Sequence, residues 1–330
     1  MNKKTLAKIC LYLILVLGGE SMVFAQNTLD KVGLDGSSLA QVAYSFRKLS
    51  TSFSGYAIQV RRSNDNATQD IGFTSGGDFD AAALIAFVGA NSGYVTIWYD
   101  QSGNGKNLSQ PTGVNQPRIV NAGSIDTENG KPFIRFYGHD VGTDGVDYLR
   151  LDADMNNNGH VSLVNRFAVG GYGFVLGHTG SYQWHSDNGG NRLISSSLAA
   201  TPIRNSKVWQ NRTSISPLSA IYNTKLMVNT IVPQSTGIET RWNNIGTDRL
   251  LYHDTNLGAG YAELIVFGAE LLDAARTALI ESQVSYYNTV ITDRLLNRNG
   301  QLTPSLPDQI NQNGARGLSG LLRTGEKIAY

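Results

Sequence analysis

The residues best suited to ligand chemistry are aromatic side chains close to amides and carboxylates in the second half of the 330-residue chain. A planar ring can stack on the C–H face of a sugar while amides and carboxylates bind its hydroxyl groups, and ring burial contributes about 25 cal/mol per Å². This pattern indicates glycan binding, although each aromatic residue taken singly is more typical of a hydrophobic core. The candidates are Tyr182, Trp184, Asn188, Asn191, Trp242, Asn243, Asn244 and Tyr252, with Asp187 and Asp254 as neighbouring carboxylates.

A second candidate is the run Trp98–Gly105, which reads Trp-Tyr-Asp-Gln-Ser-Gly-Asn-Gly. Asp and Asn side chains bond to backbone two residues further on, and Gly adopts positive φ without strain, so the run predicts a structural corner between two strands. The alternative is a sugar-binding role for Asp100 or Asn104, and Asp100 stays among the candidate substrate-binding residues.

Metal and serine-hydrolase chemistry have weaker signals. Asp152–Gly159 alternates oxygen donors as a calcium loop does, but its Gly stands eighth instead of sixth and no Glu closes the loop, which favours a surface turn. His178, His185 and His253 lack the spacing of zinc ligands. The chain has no Gly-x-Ser-x-Gly elbow. We therefore expect no metal and no cofactor.

Strands must position these residues, because short runs of β-branched and aromatic residues alternate with turn residues along the chain. Two helices are predicted, Ala81–Val88 capped by Asp80 and Ala274–Tyr287 capped by Asp273. Two short helices among about a dozen strands predict an all-β sandwich of two antiparallel sheets. The predicted strands are 57–61, 93–99, 117–120, 133–136, 167–169, 173–176, 225–228 and 263–267.

The first 25 residues predict export. A basic stretch at Lys3–Lys8 precedes the apolar run Ile9–Leu17, and Val23–Ala25 supplies the small residues of a cleavage site. The apolar run is too short for a stable membrane span. The single cysteine, Cys10, lies inside this segment, so the mature chain would contain no disulfide. We expect a secreted, periplasmic or cell-surface protein, of bacterial rather than eukaryotic origin.

Composition and charge narrow the expected partners. The chain has 36 Gly and only 16% charged residues, which suits many strands joined by tight turns. The formal net charge of +1 gives no electrostatic reason to expect nucleic acid, and no later segment is apolar for long enough to span a membrane. A polysaccharide or other glycan is the expected partner. The predicted organisation is a signal peptide at 1–25, a lead-in segment at 26–42, a sandwich domain at 43–293 and a flexible tail at 294–330.

Several segments together resemble a known family. Tyr44–Leu49, Ser52–Gly55, Gln59–Ser63 and Tyr99–Gly105 are similar to the opening of the α-L-arabinofuranosidase B catalytic domain, glycoside hydrolase family 54. The resemblance covers about residues 43–290 and is most specific in the first hundred of them. It implies a concanavalin A-like, laminin-G-like jelly roll.

The same resemblance implies retaining hydrolysis of terminal α-L-arabinofuranosides by two carboxyl groups about 5–5.5 Å apart. It implies Asp254 as the acid/base residue and places the nucleophile within Trp184–Leu193. The family's nucleophile is a Glu, whereas this chain has no Glu between residues 129 and 238. Asp187 is the nearest carboxylate, so catalysis requires Asp187 or Glu239 in that role. The family's adjacent cysteine pair, which lines its sugar pocket, is also absent.

Three classes of function stay open. The first is an α-L-arabinofuranosidase-like glycoside hydrolase acting on arabinofuranosyl-bearing polysaccharide. The second is a non-catalytic, lectin-like glycan-binding protein, and the third is an adhesive cell-surface protein. An enzyme should place Asp254 within about 6 Å of a second carboxylate. A lectin should instead expose an aromatic platform without such a pair, and an adhesin should show neither.

Overall fold

The computed structural model describes residues 28–31, 40–136, 146–167, 174–187, 192–247 and 259–289. All of them belong to one compact unit that ends at Thr289. The signal peptide predicted at 1–25 and the tail predicted at 294–330 lie outside the described residues.

Strands make up most of the regular structure in the described part of the chain. The strands are β1 Ala40–Ser45, β2 Ile58–Arg62, β3 Thr68–Ile71, β4 Gly93–Trp98, β5 Leu108–Ser109, β6 Arg118–Asn121, β7 Ser124–Ile125, β8 Thr127–Glu128, β9 Lys131–Pro132, β10 Ile134–Phe136, β11 Leu149–Met155, β12 His160–Arg166, β13 Lys207–Gln210, β14 Thr213–Ile215, β15 Met227–Val232, β16 Trp242–Ile245 and β17 Ala259–Phe267. The helices are α1 Thr28–Lys31, α2 Ala81–Val88, α3 Thr201–Arg204 and α4 Asp273–Tyr287.

The two predicted helices are present, but only one has the predicted cap. In α2, the Asp80 carboxylate accepts a hydrogen bond from the Ala83 backbone N–H at 2.9 Å, as expected for an N-cap residue. In α4, Leu272 holds the cap position without a side-chain bond, and Asp273 is the first helical residue. The prediction that Asp273 caps this helix is therefore wrong. Its carboxylate instead accepts a hydrogen bond from Arg276 Nη1 at 2.7 Å.

Strand β12 was not predicted, because its polar residues hide the apolar alternation. Ser162 and Asn165 are fully buried. Ser162 Oγ donates to Gln283 Oε1 of α4 at 2.7 Å, and Asn229 Nδ2 of β15 donates to Asn165 Oδ1 at 2.9 Å. Strand β12 ends at Arg166, and residues 168 and 169 of the strand predicted at 167–169 lie outside the described residues.

The predicted all-β antiparallel sandwich is confirmed, with one difference in how its layers connect. Hydrogen bonds join fifteen strands into a single network, and β8 and β9 form a separate hairpin. Strands far apart in this network, such as β13 and β16, contribute Val208 and Trp242 to one common core, so the sheet folds back over itself. Register shifts in several pairings allow this bending. The strand order is β14-β13-β15-β12-β17-β10-β6-β4-β5-β11-β16, with β1 on β17, β2 on β3 and β4, and β7 on β6.

Strand β17 lies at the centre of one layer. It pairs antiparallel with β12 over Gly260–Phe267 and with β1 over Glu263–Phe267, while β10 pairs with its first three residues. All nine of its residues are buried. Strands β1 and β17, the first and the last of the described strands, are therefore direct neighbours in the sheet.

A buried ion pair joins β1 to β17. Arg47, just after β1, donates from Nε to Glu263 Oε2 at 2.8 Å and from Nη2 to Glu263 Oε1 at 3.0 Å. Ser45 Oγ and Gln283 Nε2 donate to the same carboxylate at 2.7 and 3.1 Å. Because the remaining acceptor sites of Glu263 are occupied in this way, the buried charge is satisfied.

The segment predicted as a lead-in is attached to the sandwich. The Leu29 backbone N–H of α1 donates to the Leu49 carbonyl at 2.9 Å, and the Leu29 side chain is 3% exposed. Strand β1 begins at Ala40. The described parts of residues 26–42 thus contribute to the packed domain.

Candidate functional site

The Asp100 carboxylate holds the corner that follows β4. It is 4% exposed. Its Oδ1 accepts from the backbone N–H groups of Ala43 and Ser102, both at 2.9 Å. Its Oδ2 accepts from Ser102 Oγ at 2.8 Å and from the Lys106 backbone N–H at 3.1 Å. Four internal donors occupy the carboxylate, so this geometry favours the structural corner and not the substrate-binding role for Asp100.

The rest of the run Trp98–Gly105 ties the corner to the first strand. Gln101 Nε2 donates to the Ser45 and Arg47 carbonyls at 3.0 and 3.1 Å, and Gln101 Oε1 accepts from the Leu49 backbone N–H at 2.8 Å. Asn104 Nδ2 donates to the Ala40 carbonyl at 2.9 Å. Conformational needs of the sandwich therefore account for the polar residues of this run.

A cleft of about 310 Å³ opens between the end of this corner and β11. Its walls combine a lysine, an amide and two carboxylates with a few apolar side chains, which is a composition suited to a polyhydroxylated ligand. We call it the Asp154 cleft. It is lined by Ile97, Gly105, Lys106, Asn107, Ser109, Leu151, Asp152, Ala153, Asp154 and Met155.

Asp154 connects the cleft to a group of polar side chains. Its Oδ2 lies 3.0 Å from His178 Nε2, and its Oδ1 accepts from Asn243 Nδ2 at 2.9 Å. Burial raises the pKa of Asp154, but the hydrogen bonds from His178 and Asn243 and the electrostatic influence of His178 and Arg241 outweigh it, so the pKa lies below its usual value. Asp154 is thus a carboxylate at neutral pH, and its side chain is 35% exposed.

His178 is oriented from its other side. Its Nδ1 accepts from the Gly180 backbone N–H at 2.9 Å and lies 2.8 Å from Ser181 Oγ. Because Nδ1 acts as an acceptor, Nε2 is the donor to Asp154. The Thr179 backbone N–H donates to Asn243 Oδ1 at 3.1 Å, and this bond fixes the amide that faces Asp154. Asp154, His178, Ser181 and Asn243 therefore form a pre-oriented group, here called the Asp154 cluster.

Most of this cluster is not predictable from the sequence. The pattern at residues 152–159 predicts a surface turn, whereas β11 continues to Met155. The spacing of His178 predicts no ligand role. Its partner Asp154 lies 24 residues earlier, and Asn243, the other side chain bound to that carboxylate, lies 89 residues after Asp154. No local pattern carries such contacts.

The two tryptophans predicted to stack on sugar are core residues, which corrects that prediction. Trp184 is 1% exposed and Trp242 is fully buried. Trp184 Nε1 donates to the Thr240 carbonyl at 2.9 Å, and Trp242 Nε1 donates to Asn158 Oδ1 at 3.0 Å. Both rings lie in the main hydrophobic core, so neither offers a face to a ligand. Tyr182, by contrast, is 44% exposed beside Ser181.

Two predicted catalytic carboxylates, Asp187 and its alternative Glu239, lie among the described residues, and Glu239 is exposed in the short helical turn Ile238–Thr240. Asp187 is bound at both of its carboxylate oxygens. Its Oδ2 lies 3.3 Å from Arg192 Nη1, and its Oδ1 accepts from the Ser196 backbone N–H at 3.3 Å. Its side chain is 18% exposed. The other predicted catalytic residue, Asp254, lies outside the described residues, in the connection between β16 and β17. The predicted substrate-binding residues Asn188, Asn191 and Tyr252 are also outside them.

Within the described ranges, no group of three or more His, Cys, Asp or Glu side chains is placed to hold a metal ion. Across the same ranges, no helix combines the length and the apolar character that crossing a membrane requires.

Part of the chain matches a family model. Residues 35–132 match the family described as "Alpha-L-arabinofuranosidase B, catalytic". The "Probable alpha-L-arabinofuranosidase B" of Aspergillus niger is 38% identical over 89 residues, which is 26% of this chain and 18% of that protein. The "Alpha-L-arabinofuranosidase B" of Aspergillus oryzae is 36% identical over 89 residues, again 26% of this chain and 18% of that protein. The matched stretch spans less than a fifth of these relatives. They are fungal proteins, so the expected bacterial origin has no support from them.

Solved structures of arabinofuranosidases are also similar to this chain, at lower sequence identity. An arabinofuranosidase in complex with arabinofuranosyl-alpha-1,2-xylobiose has a TM-score of 0.46 and 17% identity, and covers 79% of this chain and 65% of its own. The family match confirms the predicted resemblance over its own range: residues 35–132 of this chain are similar to the catalytic domain of α-L-arabinofuranosidase B.

Proposed function

We propose that this chain is an exported carbohydrate-active protein that recognises arabinofuranosyl-bearing polysaccharide. The observation that carries the proposal is the match of residues 35–132 to the arabinofuranosidase B catalytic family. The proposed export rests on the basic and apolar stretches of the first 25 residues.

The Asp154 cleft supports a glycan ligand. Sugar hydroxyls both donate and accept hydrogen bonds, and the cleft offers acceptors at Asp152 and Asp154 together with a donor at Lys106. The bonds from His178 and Asn243 hold Asp154 in one orientation before a ligand arrives. Such pre-orientation lowers the entropic cost of binding.

We further propose that the chain hydrolyses terminal α-L-arabinofuranosides. Asp254 is proposed as the acid/base residue and Asp187 as the nucleophile. A retaining enzyme would need their carboxyl groups about 5–5.5 Å apart. The Arg192 guanidinium lies 3.3 Å from Asp187 Oδ2, so a cation stands beside the proposed nucleophile.

Non-catalytic binding is the second candidate function. The chain has no Glu between residues 129 and 238, where the resembled family keeps its nucleophile. Tyr182, the residue that follows Ser181 of the Asp154 cluster, has an exposed ring on which a sugar could stack. A lectin-like protein needs only these groups.

The test is turnover of an aryl α-L-arabinofuranoside by the purified full-length protein. The compared variants are Asp254→Asn, Asp187→Asn and, as a control, Asp273→Asn, whose side chain is 90% exposed at the start of α4. Hydrolysis predicts a loss of at least about a thousandfold in the first two variants and no change in the control.

Retention on immobilised arabinoxylan separates the two candidates. Retention without turnover would favour lectin-like binding and exclude the hydrolase. The absence of both turnover and retention would overturn the proposed function.

A further inference from the structure

Two tyrosines form an exposed aromatic surface on the sheet. The ring centroids of Tyr56 and Tyr99 are 6.3 Å apart, with the rings tilted by 48°. Tyr56 is 51% exposed, and Tyr99 is half-buried. Tyr99 belongs to the run Trp98–Gly105, where alternation directs Trp98 into the core and Tyr99 to the opposite face.

Hydrogen bonds hold the Tyr99 ring in place. Its hydroxyl donates to Asp70 Oδ1 of β3 at 2.7 Å, and Gln59 Nε2 of β2 donates to the same oxygen at 3.1 Å. Thr96 Oγ1 of β4 donates to Gln59 Oε1 at 2.9 Å. Burial, followed by the bond to Asp70, raises the pKa of Tyr99, so the phenol stays protonated. These bonds thus fix the Tyr99 ring, and the surface has both polar and aromatic parts.

The Tyr56 ring rests on backbone. A Cβ added to Gly72 would lie 3.4 Å from Tyr56 Cδ1, which places the ring over this glycine. Its exposed fraction of 51% shows that much of the ring still faces outward. We call the group Tyr56, Tyr99 and Asp70 the tyrosine platform.

The platform and the Asp154 cleft lie on the same face of the sheet. Asp70 pairs with Gln59 across β3 and β2, Gln59 pairs with Ile97 of β4, and Ile97 pairs with Ser109 of β5. Directly opposed residues project from the same face, so these four form one row. Ile97 and Ser109 line the cleft. The row spans three strand spacings, about 14 Å, which is longer than a single sugar ring.

We propose that the tyrosine platform and the Asp154 cleft form one extended polysaccharide-binding face. The platform stacks sugar rings of the chain, while the cleft binds hydroxyl groups through its carboxylates. Continuity with the cleft selects a glycan polymer as the occupant, since a single sugar would fill only one end of the row. This inference rests on the proposed function, because it takes the ligand to be the same arabinofuranosyl-bearing polysaccharide.

Affinity electrophoresis of the full chain in native gels that contain soluble arabinoxylan tests the platform. Tyr56→Ala should weaken the apparent affinity about tenfold, since it removes an exposed stacking ring. Tyr56→Phe should bind as the wild type does, because the ring face remains. Leu272→Ala is the control, since it shortens another exposed apolar side chain, one that is 83% exposed at the start of α4.

Equal retardation of Tyr56→Ala and the wild type would overturn the platform, as would the absence of any wild-type retardation. The aryl α-L-arabinofuranoside assay separates this failure from failure of the proposed function. Retardation that depends on Tyr56, without turnover or binding of the aryl glycoside, would retain the platform and refute arabinofuranoside specificity. Turnover without Tyr56-dependent retardation would refute the platform and retain arabinofuranoside specificity.

Discussion

The Asp100 corner and the Asp154 cluster each centre on an aspartate that accepts several hydrogen bonds. Asp100 is 4% exposed, and three of its four donors are backbone N–H groups. Asp154 has a side chain that is 35% exposed, and its donors are the side chains of His178 and Asn243. The first carboxylate organises the chain, whereas the second keeps an accessible charge. The polar side chains of a recognisable sequence run therefore hold the architecture here, and the accessible carboxylate lies outside that run.

The buried ion pair beside the corner offers the largest expected effect on stability. Arg47→Met should reduce the free energy of unfolding by about 3–5 kcal/mol, because it leaves the Glu263 carboxylate buried without its cation. Urea unfolding measures this change. Arg212→Met removes a half-exposed partner of Glu281 and should cost less than about 1 kcal/mol. Similar losses in the two variants would contradict the distinction between buried and surface pairs.

Removal of the corner carboxylate should come next. Asp100→Ala strands the backbone N–H groups of Ala43, Ser102 and Lys106, and we expect a loss of about 3 kcal/mol in the free energy of unfolding. Asp152→Ala is the control, since its side chain is exposed and should change stability by less than about 0.5 kcal/mol. A loss of glycan binding by Asp100→Ala with unchanged stability would instead assign Asp100 to the ligand.

Acid should destabilise the fold through His160 of β12. Neither ring nitrogen has a hydrogen-bond partner among the described residues, and burial, with the nearby charge of Arg276, lowers the pKa of His160 to about 3. The folded state thus binds fewer protons than the unfolded state, whose His has a pKa of about 6.5. The contribution of neutral His160 to the free energy of unfolding is complete above pH 6.5. It is lost as the pH falls towards 3, at up to about 1.4 kcal/mol per pH unit.

His160→Phe isolates that contribution. The phenyl ring can keep the edge-to-face contact with Phe267, whose ring centroid lies 5.7 Å away, but it cannot titrate. Unfolding measured from pH 7 to pH 4 should show a shallower loss of stability than in the wild type. Parallel pH curves for the two proteins would sink this assignment.

The smallest effect on stability is expected in the Asp154 cluster. Asp154→Asn should change the free energy of unfolding by less than about 1 kcal/mol, since the side chain is partly exposed. It should nevertheless weaken arabinoxylan binding about tenfold, because a charged acceptor is lost. Asp273→Asn should bind normally. A large loss of stability with unchanged binding would reverse the comparison with Asp100.

Local patterns predicted much of the fold. Gly93–Trp98 alternates and is a strand, and Asp80 before an Ala-rich run caps α2. Prediction failed where partners distant in sequence decide the outcome. Ser162 is a residue type common in turns, but here its hydroxyl donates a hydrogen bond to Gln283. Trp184 is a residue type suited to stacking on sugars, but here its indole N–H donates to the Thr240 carbonyl.

The candidate site was less accessible to sequence reasoning for the same reason. His178 meets Asp154 only because the sandwich brings separate segments together. The resemblance to a known family predicts a role for carboxylates, whereas the platform formed by Tyr56 and Tyr99 depends on cross-strand registers that a single sequence does not contain.

The central position of β17 has a consequence for the order of folding. Its partners β1, β10 and β12 are synthesised earlier, and Ala40 must wait for Phe267 before the two can pair. Contacts of such long sequence separation slow folding, because a large loop must close before they form. During synthesis, therefore, one layer of the sandwich has a gap in its middle until the final strand arrives. We expect the nascent chain to stay open, and available to chaperones, until nearly all of the domain has been made.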